Sequence, residues 1–453
     1  MNQTYNKKEK GFLLLRIMWP ILITQLAIFG MNFFDTLMTG QYNSSHLAGV
    51  AIGSSIWVPI AIGLGGILVA ITPIVAQLNG GGKREEVAPA VFQGLYASLL
   101  MVLIVYLLGM LVLNPALSVM NLEPIVEDVA RKYVLALSIG LIPLFLYNVL
   151  RAFMDALGMT KITMFISLIA LPINVILNYL LIFGYLGLPE LGGVGAGYAS
   201  AFTYWILLCI SIFVIHRKEP FSSYGIFKKV VPFELAGFQD VFKIGIPIGL
   251  SIFFETSIFS AVTLFMSDYS TQVIAGHQAA LNFSSLLYMI PLSMAMALTI
   301  VVGFEVGAKR YADAKTYSWM GVIAAIFLAF IYGLFLFLGR QAIGDFYVND
   351  PEVSSLIAHF LLYAVFFQLS DAIQAPVQGA LRGYKDVNIT FIMALISYWV
   401  IGLPLGYILA NYTTLEPFGY WVGLTAGLTA GAITLSLRLR WLQRKMALES
   451  KLT

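Results

Sequence analysis

The 453 residues include one cysteine, Cys209, and four histidines. A lone thiol cannot close an internal disulfide or build a thiolate metal cluster. His46, His216, His277 and His359 are scattered without any ligand spacing. Charge is also scarce: 11% of the residues are Asp, Glu, Lys or Arg, against about 25% in soluble domains. The net charge of +3 says little about partners by itself, and no nucleic-acid module is legible, so no nucleic-acid partner is expected. What fills the chain instead is apolar, with 59% hydrophobic and 14% aromatic residues. These proportions describe a polytopic membrane protein surrounded by lipid.

Twelve apolar runs follow one another, at about 13–39, 46–78, 87–113, 132–154, 162–184, 194–215, 244–267, 273–304, 316–339, 356–380, 387–410 and 419–437. About 20 residues suffice for a helix to cross a bilayer, so each run predicts one span and the fold class is all-α. Lys7, Lys8 and Lys10 ahead of the first run resemble the start of a signal peptide. The run continues to about Thr39 without a small-residue cleavage site, so it reads as a retained first helix. Basic residues set the orientation. With the N-terminus inside, 23 of the 26 Lys and Arg fall on inner segments, and Arg131, Lys132 and Arg340 fall outside. Both termini are therefore expected in the cytoplasm, with the protein in the plasma (inner) membrane.

The stretch 216–243 is the one long polar segment and splits the runs six and six. It divides the chain into a first lobe at 1–215, a cytoplasmic linker at 216–243 and a second lobe at 244–453. Phe227, Val230, Val231 and Phe233 beside Lys228 and Lys229 point to some amphipathic helix in the linker, or else to a solvated connector. A shift of about 227 aligns the halves: Trp19-Pro20 with Ile246-Pro247, Ala48-Gly49 with Ala275-Gly276, Gly82-Lys83-Arg84 with Ala308-Lys309-Arg310. Six spans per half is an even number, so the repeats run parallel about an axis along the membrane normal. Two pseudo-symmetric six-helix lobes of this kind suit alternating access to a central cleft.

Three acids stand inside the apolar runs. A carboxylate at the bilayer centre costs roughly 2.5–3.5 kcal/mol on insertion scales, so each needs a cation, a proton or a polar cavity. Glu255 lies near the middle of the seventh run, and Asp371 in Phe367-Gln368-Leu369-Ser370-Asp371 of the tenth. Two such acids close together cannot both ionise without a cation; one otherwise holds a proton. Either outcome is an ion-coupling site, with structural hydrogen bonding as the alternative, and Na+ at Glu255 and Asp371 is one form of it. Tyr288 in the eighth run offers an aromatic face or hydroxyl to the same site, or simply packs. Asp35 stands toward the outer end of the first run, where it binds a cation or proton within the first lobe, or else reaches headgroup water. Asn174 and Asn178 sit at i and i+4 on one face of the fifth helix. With Asp35 and Thr203 they make an oxygen-rich pocket for a small hard cation or a hydrogen-bond net around a protonated acid; inter-helix bonding alone is the alternative. By the repeat, Asp35 corresponds to about Val262 and Glu255 to about Ile28, so the lobes share a fold and not their charge positions.

Three further features take plainer readings. Gly192-Gly193-Val194-Gly195-Ala196-Gly197 lacks the strand and the Lys-Ser/Thr ending of a phosphate loop and reads as helix packing. Arg151 and Asp155 at i and i+4 are expected to pair. Pro20 and Pro247, in equivalent places, are expected to kink their helices, Pro20 as a hinge near Asp35.

Pro20 with Phe34-Asp35-Thr36-Leu37-Met38-Thr39-Gly40, Pro172-Ile173-Asn174 with Asn178-Tyr179, Phe254-Glu255, Ala275-Gly276-His277-Gln278 and Asp371 ahead of Gly379-Ala380-Leu381-Arg382-Gly383 resemble the multidrug and toxic compound extrusion family, in its NorM-like bacterial branch. The resemblance spans essentially the whole chain. It implies a transporter, not an enzyme, that exports cationic and amphiphilic drugs in exchange for entering Na+ or H+, with no cofactor beyond that ion and no partner beyond drug and membrane lipid, as a monomer. It matches Glu255, Tyr288 and Asp371 to second-lobe cation-site positions, and Asp35, Asn174 and Asn178 to first-lobe ones. Two departures stand out: Asn178 occupies a position that is acidic in proton-coupled archaeal-type relatives, and Phe367 one where some relatives have tyrosine. The competing function is a flippase for lipid-linked saccharides of the same architecture. Such a protein would line its central cavity with cationic residues, and none is expected here because the arginines avoid span centres. An intramembrane enzyme would need a catalytic set that the twofold repeat argues against.

Overall fold

The computed structural model describes residues 3–452, and among them only helices, turns and irregular chain occur, with no strand. Twelve helical segments lie in the places of the twelve runs: α1 Lys7–Tyr42, α2 Ser44–Gly80, α3 Arg84–Val119, α4 Pro124–Ile139 with Leu141–Ala156, α5 Thr160–Phe183, α6 Gly193–Arg217, α7 Leu235–Asp268, α8 Thr271–Gly307, α9 Tyr311–Tyr347, α10 Pro351–Gly383, α11 Asn388–Tyr412 and α12 Phe418–Glu449. Eleven are long and apolar enough to cross a membrane unaided; α4 is a pair bent by 46° that completes the twelfth. The bend falls at Gly140, where a Cβ would sit 2.7 Å from the Ala201 backbone of α6. Helices tolerate such approaches only where glycine removes the side chain. Gly379 of α10 is tighter still, its hypothetical Cβ 2.2 Å from the Ala295 carbonyl of α8, and Thr299 Oγ1 donates to the Gly379 carbonyl at 2.9 Å across the same contact. Gly195, in the glycine run that opens α6, would place a Cβ 2.5 Å from the Leu181 carbonyl, as the packing reading of that run requires.

The chain forms two compact units. One is Ile23–Gly249; the other joins the chain before it to the chain from Leu250 onward. These boundaries differ from the expected division at 215 and 244, for two physical reasons. Leu14, Ile17, Met18 and Ile21 of α1 are buried in a core with Met294, Leu298, Val301 and Leu381, so the first turns of α1 pack with the C-terminal unit. The polar stretch after α6 packs on the N-terminal unit, with Phe221, Ile226 and Val241 in its core. That stretch is a clamped strap. Gln93 Nε2 donates to the Pro232 carbonyl at 3.2 Å, Tyr96 Oη to the Val231 carbonyl at 2.6 Å, and Arg84 to Ser223 Oγ at 3.0 Å. The amphipathic helix expected around Phe227–Phe233 does not form. Only a short turn at Ser222–Tyr224 precedes Leu235, because Gly225 turns left-handed (φ +64°) and Pro232 lacks the N–H a helix would use.

Candidate functional site

In the N-terminal unit, Asp35 is buried on α1. Its Oδ1 accepts from Asn178 Nδ2 at 2.5 Å and its Oδ2 from Ser200 Oγ at 2.7 Å. Asn178 Nδ2 also reaches Asn174 Oδ1 at 3.2 Å. The i, i+4 spacing on α5 thus turns both amides toward the acid, and Asp35, Asn174 and Asn178 come together as their sequence positions predict. Ser200 was not foreseen; a serine near the start of a helix carries no signal of its own, and only the packing of α6 beside α1 reveals it. Thr203 borders the same site, but its hydroxyl donates to the Ala199 carbonyl of its own helix at 2.7 Å. A cavity of about 90 Å³ opens beside Asp35, Asn174 and Ser200 and extends to Tyr147, Asn148 and Arg151 of α4. Arg151 pairs with Asp155 at 3.4 Å, the pair that the spacing predicts. It lines a cavity within the N-terminal unit, which is distinct from the central cleft where the sequence leads to no expected cation. A residue near the end of an apolar run reaches inward because its side chain is long.

In the C-terminal unit, Glu255 of α7 is half-buried and Asp371 of α10 buried. Glu255 Oε1 accepts from Gln378 Nε2 at 2.6 Å and from Ser251 Oγ at 3.1 Å. Among the described residues Asp371 makes no hydrogen bond and no ion pair, while Glu255 lies close enough for the two charges to act on one another. Tyr288 of α8 feels both acids and Arg382, so the structure gathers Glu255, Asp371 and Tyr288 into one neighbourhood without direct bonds between them. Gln378 and Arg382 are the members that the sequence reading missed. Asp371, Gln374, Gln378 and Arg382 recur at i, i+3, i+7 and i+11, which is one buried face of α10; that periodicity was the available signal. A π-helical segment at Ile396–Gly402 of α11 completes the surroundings. Tyr398 Oη accepts from Gln374 Nε2 at 2.5 Å, and Trp399 Nε1 donates to the Phe254 carbonyl, beside Glu255, at 3.1 Å. One wider turn is what lets adjacent residues face both neighbours, a common role for π-turns at functional sites. A larger hollow of the same unit, about 400 Å³ among Phe283, Leu286, Ile343 and Phe346, is apolar and holds none of these acids.

Both clusters are rich in oxygen and amide ligands suited to a small hard cation or to a proton held on a carboxylate. Among the described residues no three His, Cys, Asp or Glu side chains gather as a transition-metal site would need. Pro20 lies inside the continuous helix α1.

Known proteins point the same way. The profile of the MatE family matches residues 20–180 and again 247–408, two copies offset by about the 227 residues that align the halves. A protein of Oceanobacillus iheyensis is 54% identical over 445 residues, covering 98% of this chain and 100% of its own. One of Halalkalibacterium halodurans is 52% identical over 453 residues, 100% and 99% of the two chains, and one of Bacillus subtilis is 52% identical over 445 residues, 98% of each. All three are named "Probable multidrug resistance protein NorM". Among solved structures, the eukaryotic MATE transporter AtDTX14 superposes with a TM-score of 0.86 at 21% identity over 97% of this chain and 98% of that one. A MATE in the straight conformation superposes at 0.89 and 19%, over 97% of each. At those identities the likeness establishes the fold. Taken with the full-length relatives and the doubled profile match, it identifies the chain as a multi-pass membrane transporter, not an enzyme, that belongs to the MatE family of multidrug and toxic compound extrusion proteins.

Proposed function

We propose that this transporter is a secondary antiporter that exports cationic or amphiphilic drugs in exchange for inward Na+ or H+. The observation that carries the reading is Asp35: a buried carboxylate with both oxygens engaged, by Asn178 and Ser200, at the edge of a polar cavity. A carboxylate in an apolar helix is tolerated where a cation or proton offsets its charge. Glu255 and Asp371 provide the same opportunity in the other unit. The arriving ion moves the conformational equilibrium only as far as it binds the two conformations unequally. The names of the relatives support a drug as the exported substrate. The coupling ion is itself transported, so no resident cofactor is involved. The protein works as a monomer among membrane lipids, in the plasma membrane, with both termini in the cytoplasm. Pro20 acts as a hinge. The chain passes between the compact units two residues after Pro20 and two residues after its counterpart Pro247, where each proline removes a helical hydrogen bond. One observation leans toward the flippase alternative, the cation Arg151 in the cavity wall. It stands alone and is paired with Asp155, whereas a pyrophosphate needs several free cations.

The test is ethidium efflux from cells, or ethidium uptake into everted vesicles, with sodium and pH gradients imposed separately. Efflux should follow at least one gradient; indifference to both rejects antiport. Pro20→Ala should lower efflux at unchanged expression, and unaltered efflux removes the hinge.

A further inference from the structure

We propose that Arg151 is an electrostatic gate that closes one end of the Asp35 cavity to the coupling cation; the proposal rests on the antiport reading. The cavity is long and narrow. Leu144, Tyr147, Asn148 and Arg151 line it from one face of α4, and Ile28 to Asp35 and Ser200 to Leu207 line it from α1 and α6. Seven residues of helix rise about 10 Å, so the cavity runs about that far along all three. Asp35 marks one end. Arg151 marks the other, because its Nη2 donates to Gln25 Oε1 at 3.1 Å, and Gln25 precedes Asp35 by ten residues of the same helix, about 15 Å of rise.

The volume of about 90 Å³ holds about three waters at ≈ 30 Å³ each. Tyr147 Oη, in a side chain 3% exposed, makes no hydrogen bond of ordinary geometry, and Arg151 Nε has only its 3.4 Å ion pair with Asp155. Asn178 Oδ1, in the shell of Asp35, is unpartnered. Buried polar atoms of this kind are commonly satisfied by water, and a file of waters from Asp35 to the guanidinium would serve all three. A cation leaving Asp35 along that file meets a fixed positive charge. The neutralising partner does not undo this, since Asp155 is not in the cavity wall and the file therefore meets the positive side of the pair. Asp155 is anchored in turn: its Oδ1 accepts from Thr163 Oγ1 at 2.6 Å. An arginine placed on a narrow aqueous path excludes cations and protons in other pores for the same electrostatic reason. The arrangement lets Asp35 load and unload at one end while the other stays shut.

The experiment uses the purified full-length protein in proteoliposomes, with an inward Na+ or pH gradient and no drug. Internal sodium and pH dyes report the influx. Arg151→Gln should raise drug-independent influx of at least one cation about tenfold, the scale of one unit charge acting over ~10 Å at an effective dielectric constant near 20. Arg151→Lys should keep the membrane tight. An Arg151→Gln protein as tight as the wild type overturns the gate, and so does an Arg151→Lys protein that leaks equally. If Arg151→Gln is not recovered folded, Gln25→Ala frees the guanidinium from α1 while keeping its charge. It should then leak severalfold, and unchanged tightness overturns the gate. Drug export by the wild type under the same gradients is measured separately. Its absence refutes antiport, whereas tight variants beside a coupled wild type refute only the gate.

Discussion

The two units carry the same repeat and solve different electrostatic problems. In the N-terminal unit one acid is met by neutral donors on both oxygens, from Asn178 and Ser200, and the nearest basic group in its cavity is already paired with Asp155. In the C-terminal unit two acids share a neighbourhood. Glu255 takes donors from Gln378 and Ser251, while Asp371 has none among the described residues. Donors on both oxygens lower the cost of a buried carboxylate before any ion arrives; burial without donors leaves the whole of that cost to a cation or proton. The comparison separates a preformed, ready-solvated site from one left incomplete. Even the repeat positions reflect this: Ile28, the counterpart of Glu255, lines the N-terminal cavity as a plain apolar wall.

The strongest way to break that contrast is to neutralise one acid at a time. Asp35→Asn should lower ion-coupled ethidium efflux about a hundredfold, the scale on which losing one member of a buried charge interaction acts; efflux within twofold of wild type would show that the N-terminal unit has no part in coupling. Next, Asp371→Asn should raise the cation concentration for half-maximal efflux about tenfold and Glu255→Gln less, because Glu255 alone keeps donors without an ion. The reverse order would make Glu255 the main ligand and the missing donors at Asp371 irrelevant. The smallest effects come from removing donors. Asn178→Ala withdraws a bond to Asp35 and one to Asn174, and Ser251→Ala withdraws one of two bonds from Glu255. At about 0.6 kcal/mol for each bond, the lower part of the usual range, Asn178→Ala should weaken coupling by about sevenfold and Ser251→Ala by about threefold. Equal losses in a sodium or proton titration of efflux would erase the distinction between the units.

Much of this was legible from residue order. Twelve apolar runs became twelve helical segments, since length and hydropathy alone decide whether a stretch can satisfy its backbone in lipid. The i, i+4 amides brought themselves to Asp35 because helical spacing is a local property, and Arg151 found Asp155 for the same reason. Ser200, Gln378, Arg382 and the π-turn of α11 were not read. Ser200 acts on Asp35, 165 positions away, and the π-turn departs from the regular helix, so neither leaves a periodic trace. Gln378 and Arg382 do share the face of Asp371 by period, but Glu255, which Gln378 binds, lies 123 positions away. The unit boundaries were misplaced on the same grounds: polarity marked residues 216–243 as a connector, yet Gln93, Tyr96 and Arg84 hold that strap against the N-terminal unit.

Residue order alone settled that this is a helical membrane protein with a parallel internal repeat and three acids in apolar spans, because those features depend on composition and on spacing within one helix. Tertiary packing decided which acid has donors and which has none, where a polar cavity opens beside Asp35, and that an arginine stands in its wall. Those outcomes depend on which helices approach one another, and on the glycines that let them come so close, as at Gly379 against Ala295.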